Sequence, residues 1–402
     1  MANVRDYLKK KKNRQDEEYR ISYREKIKSH KFTILYRTVL VIVLIVAIAT
    51  ALYIQWKNKV YTKMEVLASA EMHITQDSKL LPFAGYLLTY SKDGAGCMDI
   101  KGNAVWNQTF EMQNPMVDIC QSVVAIGDYN GRNIYVMDTS GVIGNITTNK
   151  PMRDFCVASN GVVAVVLDDS DTTWIYLYDA KAKGKELAYF RTTMKDSGYP
   201  VDVSISPNAQ LVCVSYLFVD SGQMKSSVAF YNFGDVGKNN TNNYVSGYDY
   251  LDVVVPLTVF LDNKSLFAVS DERIMFYSGA QKPVIATENL ISDSVQSVYY
   301  GDEYVGLVFI STESDNRYRL DVYHKSGEYS QSVGFDMEYT DILFHGDQII
   351  IYNESECSIY NSNGTEKYSG LFEQSVLLLI PQSSAYRYMI VTPNSIDTVE
   401  LQ

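Results

Sequence analysis

The chain is poor in the residues that usually carry chemistry. It has four His, in 402 residues: His30, His73, His324 and His345. They are far apart in sequence and show no ligand spacing. No HExxH, CxxC, GxSxG, P-loop or GxGxxG occurs, so the zinc, redox, hydrolase and nucleotide signatures are missing. No cofactor is expected from the motifs, and no metal site. The five Cys (Cys97, Cys120, Cys156, Cys213 and Cys357) are odd in number and scattered, which excludes a disulfide-stapled scaffold. With 9 Pro, 23 Gly and 46% hydrophobic residues, the chain is neither collagen-like nor mostly disordered. Tyr is abundant, at 32 residues, and favours strands.

Charge divides the chain. Residues 1–37 hold 12 Lys/Arg against 5 Asp/Glu, a net of +7. The whole chain is at −11, so the remainder carries −18. An uncharged run separates the two, from Thr38 to Trp56. Its 19 residues span about 28 Å as a helix, close to the ~30 Å hydrocarbon core of a bilayer. Tyr36, Tyr53 and Trp56 stand at its ends, where interfacial aromatics belong. The basic flank is N-terminal, so positive-inside topology places 1–37 in the cytoplasm and everything after 57 outside. A cleaved signal peptide is the alternative, with small-residue sites at Ala47-Ile48-Ala49 and Ala49-Thr50-Ala51. Lys9–Lys12 also suit anionic lipid at the inner leaflet. The acidic remainder repels phosphates, so nucleic acid is not an expected partner.

The outer part repeats. A strand, a short polar turn and a glycine recur at Gly102, Gly141, Gly184, Gly237, Gly279, Gly327 and Gly364, about every 40–50 residues. Within each repeat, two nearly continuous apolar strands form a hairpin, as in 123–138, 162–179, 266–278 and 348–361. Apolar residues on both faces mean a sheet packed on both sides. Asp93-Gly94 and Asn130-Gly131 supply hairpin turns. No amphipathic helix separates the strands, which excludes an α/β fold. The expected fold is all-β: an eight-bladed propeller, with seven blades as the alternative, preceded by one transmembrane helix. Complete blades are expected over 79–113, 114–150, 151–195, 196–249, 250–291, 292–337 and 338–374. The last, 375–402, has three strands, and 65–75 supplies its missing outer strand, closing the ring. The expected organisation is a basic tail 1–37, a span 38–56, a linker 57–64 and a propeller 65–402.

Gly followed four residues later by Trp, in DIKGNAVW (99–106), resembles the repeat of quinoprotein-type eight-bladed propellers. Trp106 alone holds that place; Asn145, Ala188, Pro283, Gln331 and Tyr368 stand at the equivalent positions. The overall plan resembles an uncharacterised family of membrane-anchored propellers of Gram-positive bacteria. That resemblance implies fold and location and no known activity. The vicinal Cys pair of quinone dehydrogenases is absent, as is the Gly-His…Trp-Asp pattern of WD repeats.

One acidic pattern recurs. Asp118, Asp154, Asp202, Asp252 and Asp341 are expected at the start of the innermost strands, ringing one mouth of the central channel. There they either attract a cation or amine, or cap the preceding turn. The hairpin tips between second and third strands collect acids, including Asp128, Asp168, Asp169, Asp220 and Glu272, whereas the next turns collect lysines. Repeat four is the longest, with insertions at 220–227 and 234–250 rich in Tyr, Asn, Gly and Ser, the makeup of adaptable binding loops. Asp220 and Lys225 join the candidate binding face on that ground. The functional expectation is a non-catalytic binding or scaffold module for an envelope protein or cell-wall ligand. The rivals are an extracellular enzyme, either a quinone-dependent dehydrogenase or glycosidase-like, and a transmembrane sensor.

Overall fold

The computed structural model describes residues 4–57, 59–72, 78–169, 172–193, 197–220, 222–311, 316–384 and 386–402. It divides into two compact units, Met1–Val60 and Tyr61–Gln402. The first is a single helix, Val4–Lys57. Its stretch Glu25–Gln55 is long and apolar enough to cross a membrane. The hydroxyls of Thr38 and Thr50 in the apolar run both donate back to carbonyls one turn earlier, Ile34 and Val46. Such back-bonding removes the cost of a hydroxyl in hydrocarbon.

The second unit is an eight-bladed propeller of eight four-stranded antiparallel sheets. In each blade the strands run a to d from the inside outwards. Blades 1 to 7 occupy 79–109, 115–147, 152–193, 199–251, 257–290, 295–335 and 341–371. Blade 8 takes its first three strands from 378–401 and its outermost from Met64–Glu71. That N-terminal strand pairs with the C-terminal one from Met64 opposite Leu401 to Glu71 opposite Ser395. The closure is the one the sequence predicts; residues 73–75 of the expected strand fall outside the described residues. Tyr61 seals the joint, buried beside Tyr386 with ring centres 4.5 Å apart.

Eight buried apolar clusters hold the ring, one in each gap between neighbouring blades. Strands b and c supply most of them, as Val163, Val165 and Leu167 face one neighbour while Ala164 and Val166 face the other. This is why those hairpins read as unbroken apolar runs. The recurrent glycines mark the turns from c to d. Six of the seven have positive φ, which only glycine adopts without strain. Gly237 differs: it lies in a short 3₁₀ turn inside the blade 4 insertion, and a Cβ there would strike the Asn232 carbonyl. Trp106, on strand d of blade 1, donates its indole N–H to the Asp138 carbonyl of blade 2 at 2.9 Å, tying the two blades together.

Candidate functional site

The a strands are innermost, and those of blades 2 to 5 touch in succession. Asp118, Asp154 and Asp202 lie on the a strands of blades 2, 3 and 4. Each carboxylate reaches the next blade's inner strand. Asp118 Oδ2 accepts from the Val157 amide at 2.6 Å. Asp154 accepts from the Val203 amide and, at 2.8 Å, from that of Phe155. Asp202 Oδ2 accepts from the Thr258 amide at 2.7 Å and from its hydroxyl at 2.6 Å. Each of the three Asp thus staples its blade to the next, rather than capping the turn before it.

These three carboxylates line one cavity of about 310 Å³, together with Cys120, Cys156 and Tyr300. Burial pushes all three carboxyls upward. Asp154 reaches about 7, through burial first and then the neighbouring Asp202 and Asp118 charges. Burial, then Asp118 and Asp202, also raise the Tyr300 hydroxyl. Burial and the same carboxylates raise the Cys156 thiol, while Cys120 is pushed to about 11. Both cysteines are free. Raised thiols are poor nucleophiles. What the cavity offers is concentrated negative potential beside an aromatic ring, the combination that attracts an ammonium or guanidinium group. Among the described residues no three His, Cys, Asp or Glu side chains converge closely enough to chelate a metal.

The other candidates lie elsewhere. Asp341 opens the a strand of blade 7, where its carboxylate accepts from the Ile342 amide at 2.8 Å and from the Tyr352 hydroxyl. It does not line the cavity. Asp252 is not on an inner strand. It follows the outermost strand of blade 4 at φ 56°, exposed, accepting from Gln223 Nε2 at 3.4 Å. The a strand of blade 5 is Leu257–Phe260, and its Thr258 is the residue that meets Asp202. The long blade 4 insertion shifts the repeat frame, so a sequence count places this strand too early. Asp220 ends strand b of blade 4, at the tip of its long hairpin. Lys225, on strand c, pairs with Asp249 at 3.1 Å and lies 5.2 Å from the Phe218 ring centre. Neither belongs to the mouth. Part of the expected acidic face is neutralised, since Asp168 pairs with Arg153 and Asp169 with Lys150. Sequence reasoning missed Tyr300, which ends the a strand of blade 6. A strand ending in two tyrosines was its only signal.

Solved structures similar to this chain are propellers. BamB from Moraxella catarrhalis aligns with a TM-score of 0.50 at 14% identity, covering 84% of this chain and 100% of that one. A eukaryotic initiation factor aligns at 0.52 and 11%, covering 82% and 87%. The Dos1 propeller aligns at 0.51 and 9%, covering 85% and 94%. At these identities the likeness concerns the fold alone. No curated protein matches in sequence. Residues 57–401 match the model of a family of unknown function, DUF5711, and the chain belongs to that family.

Proposed function

We propose that this protein is a membrane-anchored propeller that acts outside the cell as a binding or scaffold module. In this reading residues 1–37 are cytoplasmic, 38–56 span the bilayer, 57–64 link, and 65–402 carry the binding surface. The partner is an envelope protein or cell-wall ligand that inserts a cationic group into the channel mouth. One observation carries the reading. Asp118, Asp154 and Asp202 line one cavity with Tyr300, although burial raises all three carboxyls above the ordinary aspartate value. Three ionised carboxylates in one cavity repel each other, and a cation between them relieves that repulsion. Asp341 and Asp252 lie outside this cavity and are not part of the proposed contact.

The test uses full-length protein in lipid nanodiscs and tri-lysine as the probe. Binding is expected, weakening as salt rises, and weakening further in Asp118→Asn/Asp202→Asn. A chain that ignores tri-lysine at low salt, or a double variant that binds it equally well, contradicts the proposal.

A further inference from the structure

A second cavity, of about 380 Å³, opens at the rim between blades 3 and 4. Its origin is legible in side-chain size. The register breaks at Leu177/Tyr178, Phe230/Tyr231 and Phe276/Tyr277 mark the same level between strands c and d of blades 3, 4 and 5. Four and two residues before the tyrosine that follows each break, strand c carries Trp174 and Tyr176 in blade 3, and Arg273 and Met275 in blade 5. In blade 4 they are Ser227 and Ala229, and opposite them on strand d stand Asp249 and Gly247. Blade 4 lacks the bulk that fills this level in its neighbours, and a cleft remains.

The cleft has aromatic and polar walls. At its inner end Tyr231 stacks on Phe190 with centroids 4.1 Å apart, and its hydroxyl lies 2.9 Å from that of Tyr216. At its mouth Lys225 offsets Asp249. The side chains of Ser197, Ser227, Asn242 and Tyr244 line it and have no hydrogen-bond partner among the described residues. The blade 4 insertion holds Asn242 there. Asn242 and Asn243 both adopt positive φ, and Asn243 Nδ2 donates to the Asn232 carbonyl at 3.0 Å, leaving the Asn242 amide free and exposed.

From this we infer that the cleft binds a saccharide of one or two rings. A sugar presents hydroxyls that donate and accept along its edge and C–H groups on its faces. Hydroxyl and amide side chains match the edge, and aromatic rings match the faces. Asp249 offsets Lys225, and Arg191 on strand d of blade 3 adds one positive charge to the lining, so an acidic sugar fits as well as a neutral one. The free polar groups leave no dry surface for a lipid tail. The volume lies within the usual range for small-ligand sites, about 300–1,000 Å³. This site is separate from the channel mouth and does not rest on its reading.

The test is saturation-transfer NMR on full-length protein in nanodiscs, which avoids sugar-based detergents. The probes are N,N′-diacetylchitobiose, cellobiose and maltose. At least one is expected to bind, with affinity falling by about tenfold or more in Ser227→Trp, which restores the bulk of blade 3, and in Asn242→Ala. Asp154→Asn leaves this binding unchanged. If Ser227→Trp does not fold, Asn242→Ala, in an exposed loop, decides alone. Absence of binding by all three sugars, or binding that survives the cleft variants, overturns the inference.

Discussion

Asp154 makes a quantitative case that the channel mouth is costly to keep. Its carboxyl rises from 3.8 to about 7 in the folded chain, through burial first and then Asp202 and Asp118. The folded state therefore holds this proton more tightly than the unfolded chain does. Stability falls as pH rises from about 4 to about 7, then levels off. At roughly 1.4 kcal/mol per pH unit, ionised Asp154 costs at most about 4 kcal/mol at pH 8 and well under 1 kcal/mol at pH 4. Asn removes that charge. Its amide oxygen keeps only part of the acceptor capacity now used by Phe155 and Val203, which returns about 1 kcal/mol. Asp154→Asn is thus expected to stabilise the propeller by about 2–3 kcal/mol at pH 8 and by nearly nothing at pH 4. Urea unfolding of the Tyr61–Gln402 unit at the two pH values, followed by tyrosine fluorescence, measures this. The difference between variant and wild type cancels the other titrating groups. A variant no more stable at pH 8, or equally stabilised at both pH values, would refute the reasoning.

Removing 64–72 opens the ring and strips strand c of blade 8 of its partner. It is expected to cost about 5 kcal/mol or more, far beyond deletion of 239–243 at the rim, as read from urea midpoints. Trp106→Phe leaves the Asp138 carbonyl without its indole donor and should cost about 1 kcal/mol in the same assay. Asp252→Asn should leave tri-lysine binding unchanged while Asp202→Asn weakens it, since only Asp202 lines the mouth. Protease added outside intact cells should digest the propeller and spare the basic tail. A soluble chain beginning near Thr50 or Leu52 would show instead that the apolar helix is a cleaved signal.

The blades were legible because their demands are local. An inner hairpin packed on both faces needs unbroken apolar strands, and a left-handed turn needs glycine, so Val162–Asp179 and Gly184 announce themselves. Ring closure was legible because 378–401 supplies three strands and Met64–Glu71 is a strand without a hairpin partner. The mouth was only partly legible. Asp118, Asp154 and Asp202 follow the repeat, but membership of one cavity depends on which blades adjoin and how far each strand slides. That slide brings Thr258 rather than Asp252 to Asp202, and brings Tyr300 to line the cavity with blades 2 to 4. The rim cleft was the least legible. The insertion marked blade 4 as unusual, yet the space comes from Ser227 and Ala229, small residues whose meaning appears only beside Trp174 and Tyr176.

The claim that a cationic partner enters the mouth outside the cell is tested most directly by photo-crosslinking at Tyr300. Tyr300→p-benzoylphenylalanine places the reactive ketone in the cavity that Asp118, Asp154 and Asp202 line. Intact cells carrying it are irradiated, alongside cells in which the three aspartates are also changed to asparagine. The account predicts a discrete adduct on the full-length chain that disappears in the triple-asparagine background at equal expression. No adduct, or one of equal yield in both backgrounds, would contradict it.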